Sequence, residues 1–347
     1  MDEITISGQV IKAGQKARIE VPVADLYTGT EMNMPVHIIR AKKPGPKLFV
    51  SAAIHGDELN GIEIIRRLLT MKSLKLAAGT LIFVPMVNVY GVLNQSRYLP
   101  DRRDLNRSFP GSPKGSLAGR IADRFLNEIV HQCDYGIDLH TGAIHRSNLP
   151  QVRANLSDPE TSAIAEAFGA PVMLNANLRD GSLRQAAMES GTRILLYEAG
   201  EALRFDEFSI KAGVRGVLKV MAKLGMIKVK PGRRKKLPPF VATNSVWVRA
   251  EGSGIVHDIK HLGDQVVKGD VLAEIGTPFG EVISKVKASR SGIIIGKQNI
   301  PLVQEGEAMF HIAYFDDADD EEVAEHIENL QGALEEDDEP YPVPVAH

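Results

Sequence analysis

The chain has 347 residues, of which 44% are hydrophobic and 24% charged, and its formal net charge is −3. These are ordinary globular values with room for a full core and a second module, so they argue against a disordered chain and against a basic nucleic-acid binder. A lone cysteine, Cys133, cannot form an internal disulfide, which suits a reducing cytoplasm.

At the N-terminus, Met1-Asp2-Glu3-Ile4-Thr5 lacks the basic start and apolar run of a signal peptide. No window approaches the ~18 apolar residues of a membrane span, so the expectation is a cytoplasmic protein with no membrane partner. Residues 1–33 read as a β-rich segment. From 34 to 227 short β-rich runs alternate with helical stretches, which predicts an α/β domain with a largely parallel sheet flanked by helices. The expected strands are Val36–Ala41, Lys47–Ile54, Thr80–Val87, Tyr135–Leu139, Val152–Leu156, Val172–Asn175 and Thr192–Tyr197. Apolar residues at helical spacing, Ile62, Ile65, Leu68 and Leu69, then Leu117, Ile121, Phe125 and Ile129, then Val214, Val217, Val220 and Met221, predict helices between them. Cys133 falls at a helix end and reads as a small buried residue rather than a nucleophile.

Residues 228–239, basic and rich in Pro and Gly, read as a linker. Residues 240–315 change to short strands and frequent glycines with no helix signal, which predicts a small β-barrel or sandwich. Gly252-Ser253-Gly254-Ile255-Val256 and Leu262-Gly263-Asp264-Gln265-Val266 resemble the biotinyl/lipoyl fold, yet the hairpin Thr277-Pro278-Phe279-Gly280-Glu281 carries no lysine for a lipoyl or biotinyl group. Residues 316–347 form an acidic tail, read as solvated with a short helix around Val323–Leu334.

In an open α/β sheet, ligands bind outside the carboxyl ends of the strands. His55, Asn88, His140 and Glu198 each follow an expected strand, so several strands aim polar side chains at one rim. His55 and Glu58, three apart in His55-Gly56-Asp57-Glu58, can reach one ion together, and a catalytic zinc takes three protein ligands. His140 is the third candidate. Asp138, two residues earlier on the same strand face, is placed to accept the imidazole's other N–H. The loop Tyr98–Gly111 holds three arginines, Arg102, Arg103 and Arg107, with Asn106, a set suited to gripping a carboxylate because guanidinium forks match its geometry.

Four motifs in order, His55-Gly56-Asp57-Glu58, Asp104-Leu105-Asn106-Arg107 with Phe109-Pro110-Gly111, Asp138-Leu139-His140-Thr141-Gly142 and Tyr197-Glu198-Ala199-Gly200, resemble the succinylglutamate desuccinylase/aspartoacylase family. The likeness runs over roughly residues 40–315. It implies a zinc-carboxypeptidase-like fold with a mixed, largely parallel sheet and a smaller C-terminal β domain. It implies one Zn2+ per chain on His55, Glu58 and His140, with Glu198 as general base and Asn106 and Arg107 as the carboxylate grip. The family's carbonyl-polarising arginine has three candidates here: Arg97, whose Arg97-Tyr98 matches the family dipeptide, and Arg102 and Arg103, because the loop to Asp104 is two residues longer. His145-Arg146-Ser147-Asn148 follows the third ligand closely enough for Arg146 to bind a second substrate carboxylate.

The expected activity is hydrolysis of the amide of a small anionic N-acyl amino acid, with no nucleic-acid partner. A metallo-carboxypeptidase or deglutamylase acting on a peptide end would use the same parts. A non-catalytic scaffold built on the lipoyl-like module would need no metal. A homo-oligomer is compatible with the sequence.

Overall fold

The computed structural model describes residues 3–175, 180–228 and 240–314. The acidic tail and the linker, apart from Lys228, lie outside the described residues.

The N-terminal strands are β1 (Ile4–Ile6), β2 (Gln9–Ile11), β3 (Lys16–Asp25) and β4 (Glu31–Arg40). Residue 34, the expected start of the α/β domain, lies within β4. Then come β5 (Lys47–Ala52), α1 (Asn60–Thr70), β6 (Thr80–Val84), α2 (Val89–Leu93), α3 (Leu117–Glu128), β7 (Tyr135–Gly142), β8 (Arg146–Ala154), α4 (Pro159–Phe168), β9 (Val172–Asn175), α5 (Leu183–Glu189), β10 (Arg193–Glu201) and α6 (Glu207–Lys223). The C-terminal strands are β11 (Phe240–Ala242), β12 (Asn244–Arg249), β13 (Gly254–Asp258), β14 (Gln265–Val266), β15 (Val271–Gly276), β16 (Val282–Lys287), β17 (Gly292–Gln298), β18 (Leu302–Val303) and β19 (Ala308–Tyr314).

The main sheet runs in the order β12-β19-β17-β8-β10-β7-β5-β6-β4-β3. Its centre, β6-β5-β7-β10, is parallel throughout. On either side, β4 and β8 run antiparallel to their neighbours. The sheet is therefore mixed: besides this centre, β9 pairs parallel with β8 and with β11, and its other pairs are antiparallel. Only residues 143–145 join β7 to β8, too few for the crossover that a parallel return needs.

Alternation along the strands separates two faces. Leu48, Val50, Ile137, Leu139, Leu195 and Tyr197 pack with α1, α4 and α6 through Ile65, Phe168 and Val217. Phe49 and Ile194 lie on the other face with Ile121 and Phe125 of α3 and Ala186 of α5. Side-chain caps fix where the helices begin. Ser116 accepts from Gly119 N, Asp158 from Thr161 N and Asp206 from Ser209 N, each worth about 1 kcal/mol. Register places Ser51, Asp138, His140, Glu198, Gln151 and Arg153 on the same face as Phe49 and Ile194. That polar row is the floor of the site.

The C-terminal strands divide. β12, β19 and β17 extend the main sheet through β17 against β8, while β13, β15, β16 and β18 form a separate four-stranded antiparallel sheet. Val248, Leu272, Ile275, Ile294 and Phe310 fill a common core between them. Where the sequence predicts a small C-terminal β-barrel or sandwich, part of that segment extends the main sheet. Gly296 permits the join, since a Cβ there would stand 2.9 Å from Asn148 Oδ1 and 3.1 Å from His311 Cβ. No helix among the described residues is long and apolar enough to cross a membrane.

Candidate metal centre

β5 ends at Ala52, and Ala53 turns the chain with φ of 54° while its carbonyl accepts from Asn88 N. Gly56 then lies flat against α2, where a Cβ would fall 1.8 Å from the Gly91 carbonyl carbon. A turn closed by Glu58 N donating to His55 O puts the His55 and Glu58 side chains on one side. Asn88, expected at the rim, is spent on the scaffold: its side chain accepts from Gly91 N and donates to Ile54 O.

His55, Glu58 and His140 are all buried, and their ligand atoms lie within 4.8 Å of one another. Nδ1 of His55 is 2.7 Å from Glu58 Oε1, and Nδ1 of His140 is 2.7 Å from Glu58 Oε2. The far nitrogens also meet carboxylates, His140 Nε2 at 2.7 Å from Asp138 Oδ2 and His55 Nε2 at 3.1 Å from Asp104 Oδ1. Burial opposes the charge on His55, Glu58 and His140. For Glu58 the two imidazoles outweigh it and hold the carboxyl well below the usual carboxylate range. For His140, Asp138 and Glu58 outweigh it and raise the imidazole well above its usual value, and for His55, Glu58 and Asp104 outweigh it and raise the imidazole.

This donor set fits zinc. Two imidazoles with Nδ1 turned to a common point, a carboxylate at the same point, and a carboxylate behind each imidazole fixing its orientation are what a three-ligand catalytic site requires.

The arginine loop resolves into distinct placements. Arg97 has Nη1 3.5 Å from Glu58 Oε1 and Nη2 2.9 Å from Asp104 Oδ2, so it stands at the metal cluster. Arg102 and Arg103 are exposed. Asp104 links His55 to Arg97 and caps the 3-10 turn Leu105–Arg107 by accepting from Asn106 N. Burial would raise its carboxyl, but His55 and Arg97 hold it well below the usual range. Sequence reasoning passed over Asp104, whose signal was a carboxylate opening the Asp104-Leu105-Asn106-Arg107 motif. Asn106 is buried and its Oδ1 accepts from Leu183 N at the start of α5. Arg107 is exposed and donates to the Asn106 carbonyl.

His140 and Glu198 lie inside β7 and β10, directly paired across the parallel ladder, rather than beyond strand ends. The strands run further than their apolar cores indicated because β8 pairs antiparallel with β10 and carries it on past Glu198. Glu198 is partly exposed and pairs with Arg153, whose Nε is 2.7 Å from Oε2. Arg153 was also missed, and a single arginine in a β-run gave no signal for it. Arg146 stands with its guanidinium carbon 5.3 Å from the centroid of the Trp247 ring.

The family model for the Succinylglutamate desuccinylase/Aspartoacylase catalytic domain matches residues 44–224. The N-alpha-acetyl-L-2,4-diaminobutyric acid deacetylase of Halomonas elongata is 27% identical over 292 residues, covering 81% of this chain and 85% of that protein. The product-bound structure of the ectoine utilization protein EutE (DoeB) from Ruegeria pomeroyi superposes with a TM-score of 0.79 at 25% identity, covering 90% of this chain and 99% of that one. A succinylglutamate desuccinylase/aspartoacylase structure from Rhodobacter sphaeroides gives 0.74 at 25% identity over 88% and 97%.

Proposed function

The chain belongs to the succinylglutamate desuccinylase/aspartoacylase family, and on that premise we propose that it is a zinc-dependent hydrolase of the amide bond in N-acyl amino acids. The observation that carries this reading is the convergence of His55, Glu58 and His140 on one point, with Glu198 paired beside His140 across the ladder. The relative from Halomonas elongata, a deacetylase of an N-acetylated amino acid, supports the same reaction class.

His55, Glu58 and His140 would hold the ion, which when bound acidifies a water and polarises a carbonyl. Glu198 takes a proton from the attacking water and returns it to the leaving amine, worth about 10²–10⁴ in rate for a positioned acid–base group. Arg97, at Glu58, faces the charge that develops on the carbonyl oxygen, and Asp104 holds it there. Asn106 and Arg107 grip the substrate carboxylate. Asp138 and Asp104 orient the two imidazoles. The C-terminal strands, read as an unmodified relative of the lipoyl fold, wall the site through β17 against β8.

The test is a deacylation screen of the zinc-loaded protein with acetyl-, succinyl- and glutamyl-bearing amino acids, with short peptides alongside. Hydrolysis of the small substrates and not the peptides supports the reading. The reverse supports a peptide-end carboxypeptidase or deglutamylase, and failure to take up zinc supports the scaffold. Glu198→Gln is expected to retain stoichiometric zinc and to lose at least about 10²-fold in kcat. A Glu198→Gln variant with wild-type turnover overturns the mechanism.

A further inference from the structure

A second polar cluster stands beside Glu198, and the reaction as derived does not use it. Arg153 of β8 faces Leu196, and Gln151, two residues before it, faces Glu198. Among the described residues, the Arg153 guanidinium has its ion pair with Glu198 and no hydrogen bond, although 23% of the side chain is exposed and its Nε is buried. Among the described residues, Gln151 Oε1 and His311 Nδ1 are buried without a hydrogen-bond partner. Arg153 contributes to the electrostatics of His311, which stacks on Trp247 at 4.5 Å and 7°. Burial, with the Arg153 charge acting in the same sense, holds His311 down to about 3, so it is neutral and brings no charge of its own.

Buried polar atoms without partners are uncommon in native structures, and two beside an arginine with unbonded donors call for an explanation. A guanidinium offers five donors in a planar fork that matches a carboxylate. Among the described residues its anionic partner is Glu198, the group that must be free to take a proton. A carboxylate brought by the substrate would engage the unbonded donors and offset the Arg153 charge without drawing on Glu198.

Resting on the N-acyl amino acid reading, we infer that Arg153 is a specificity-determining residue that binds a second carboxylate of the substrate, distinct from the one gripped by Asn106 and Arg107. The role expected of Arg146 falls instead to an arginine whose donors are open and which adjoins the general base. The second carboxylate belongs either to the acyl chain or to the amino acid side chain.

The experiment compares kcat/KM for N-acetylglutamine, N-acetylglutamate and N-succinylglutamine in the zinc-loaded wild type, Arg153→Met and Arg153→Lys. N-acetylglutamate carries the extra carboxylate on the amine part and N-succinylglutamine carries it on the acyl part. Relative to N-acetylglutamine, one of the two loses at least about tenfold in Arg153→Met through KM, as a site built for a polar group rejects its absence, and Arg153→Lys recovers part of the loss. An equal fall for all three substrates overturns the inference and leaves Arg153 as a positioning residue for Glu198. If the wild type hydrolyses none of the three, these are not its substrates, and the wider deacylation screen judges the amide reading separately. Calorimetric binding of succinate against butyrate and of glutamate against glutamine then decides: discrimination lost in Arg153→Met supports the inference, and unchanged discrimination overturns it.

Discussion

Asp138 and His140, two residues apart on β7, meet through a 2.7 Å contact between Oδ2 and Nε2. The other oxygen of Asp138 accepts from Ser51 Oγ at 2.7 Å, so the carboxylate is fixed from β5 as well. An imidazole held in this way presents Nδ1 to Glu58 without loss of rotamer freedom on binding a metal. Asp138→Ala is expected to weaken zinc binding by about 10–100-fold. Competition with a chelator of known affinity measures it, and unchanged affinity would remove Asp138 from the site.

Arg97 and Arg103 make opposite predictions from one loop. The Arg97 guanidinium reaches Glu58 and Asp104, whereas Arg103 is exposed and its backbone N–H is held by Asp101. Removing a charge aimed at the developing oxyanion costs about 10²–10³ in kcat, so Arg97→Ala should fall in that range. A surface change such as Arg103→Ala shifts fold stability by within about 0.5 kcal/mol and removes no contact to the metal cluster, so kcat should stay near the wild-type value. Steady-state kinetics of the pair assign the polarising arginine, and the reverse ranking would transfer the role to the longer loop.

The reach of the sequence follows from these contacts. His55, Glu58 and His140 were legible because a short motif and a strand-borne histidine carry their own chemistry, and the fold brings their ligand atoms within 4.8 Å of one another. Asp104 and Arg153 were not, because a carboxylate before a turn reads as a cap and an arginine in a strand reads as surface. The direction of β8 was hidden in the three residues joining it to β7. The union of β17 with β8 depends on Gly296 allowing close approach, a pairing between residues 148 apart that no local pattern reports.

Zinc binding should release protons. In the metal-free chain His55 and His140 are raised above 6.5, so protons must leave before Nδ1 can ligate. Apparent zinc affinity is expected to climb with pH and level off above the raised imidazole values. The same shifts shape metal-free stability. Raised histidines contribute fully below their unfolded value of 6.5, and the contribution is lost as pH rises through the folded values. Glu58, held low, contributes above its unfolded 4.5 and loses that only as pH falls toward its depressed value. His311, held down to about 3, acts the other way and loses its contribution as pH falls below 6.5, so metal-free stability should peak near pH 6.5 and decline on both sides, with the alkaline fall removed by zinc. Denaturant melts across pH with and without chelator, and calorimetry in buffers of different ionisation enthalpy, check both; pH-independent zinc binding would contradict the account.

Gly56→Ala should damage both the fold and the metal site. A Cβ at Gly56 would stand 1.8 Å from Gly91 C, 2.2 Å from Val92 N and 2.3 Å from Gly91 Cα, all of them backbone atoms of α2. α2 cannot retreat freely, because Asn88 ties Gly91 N to its own side chain and that side chain to Ile54 O. The strain must pass into the His55–Glu58 turn or break the cap, and overpacking of this kind costs about 1–3 kcal/mol or more. The loss should appear as a fall in Tm of several degrees together with weaker zinc binding, since His55 and Glu58 flank the displaced atom. Gly225→Ala supplies the contrast: φ is 70° and nothing lies within 4 Å of a Cβ, so the change carries only the left-handed backbone cost of about 1–2 kcal/mol and leaves zinc affinity alone. Thermal melts and chelator competition on both variants separate the two cases. Equal zinc affinity in Gly56→Ala and Gly225→Ala would show that the glycine serves the fold and has no part in setting the ligands.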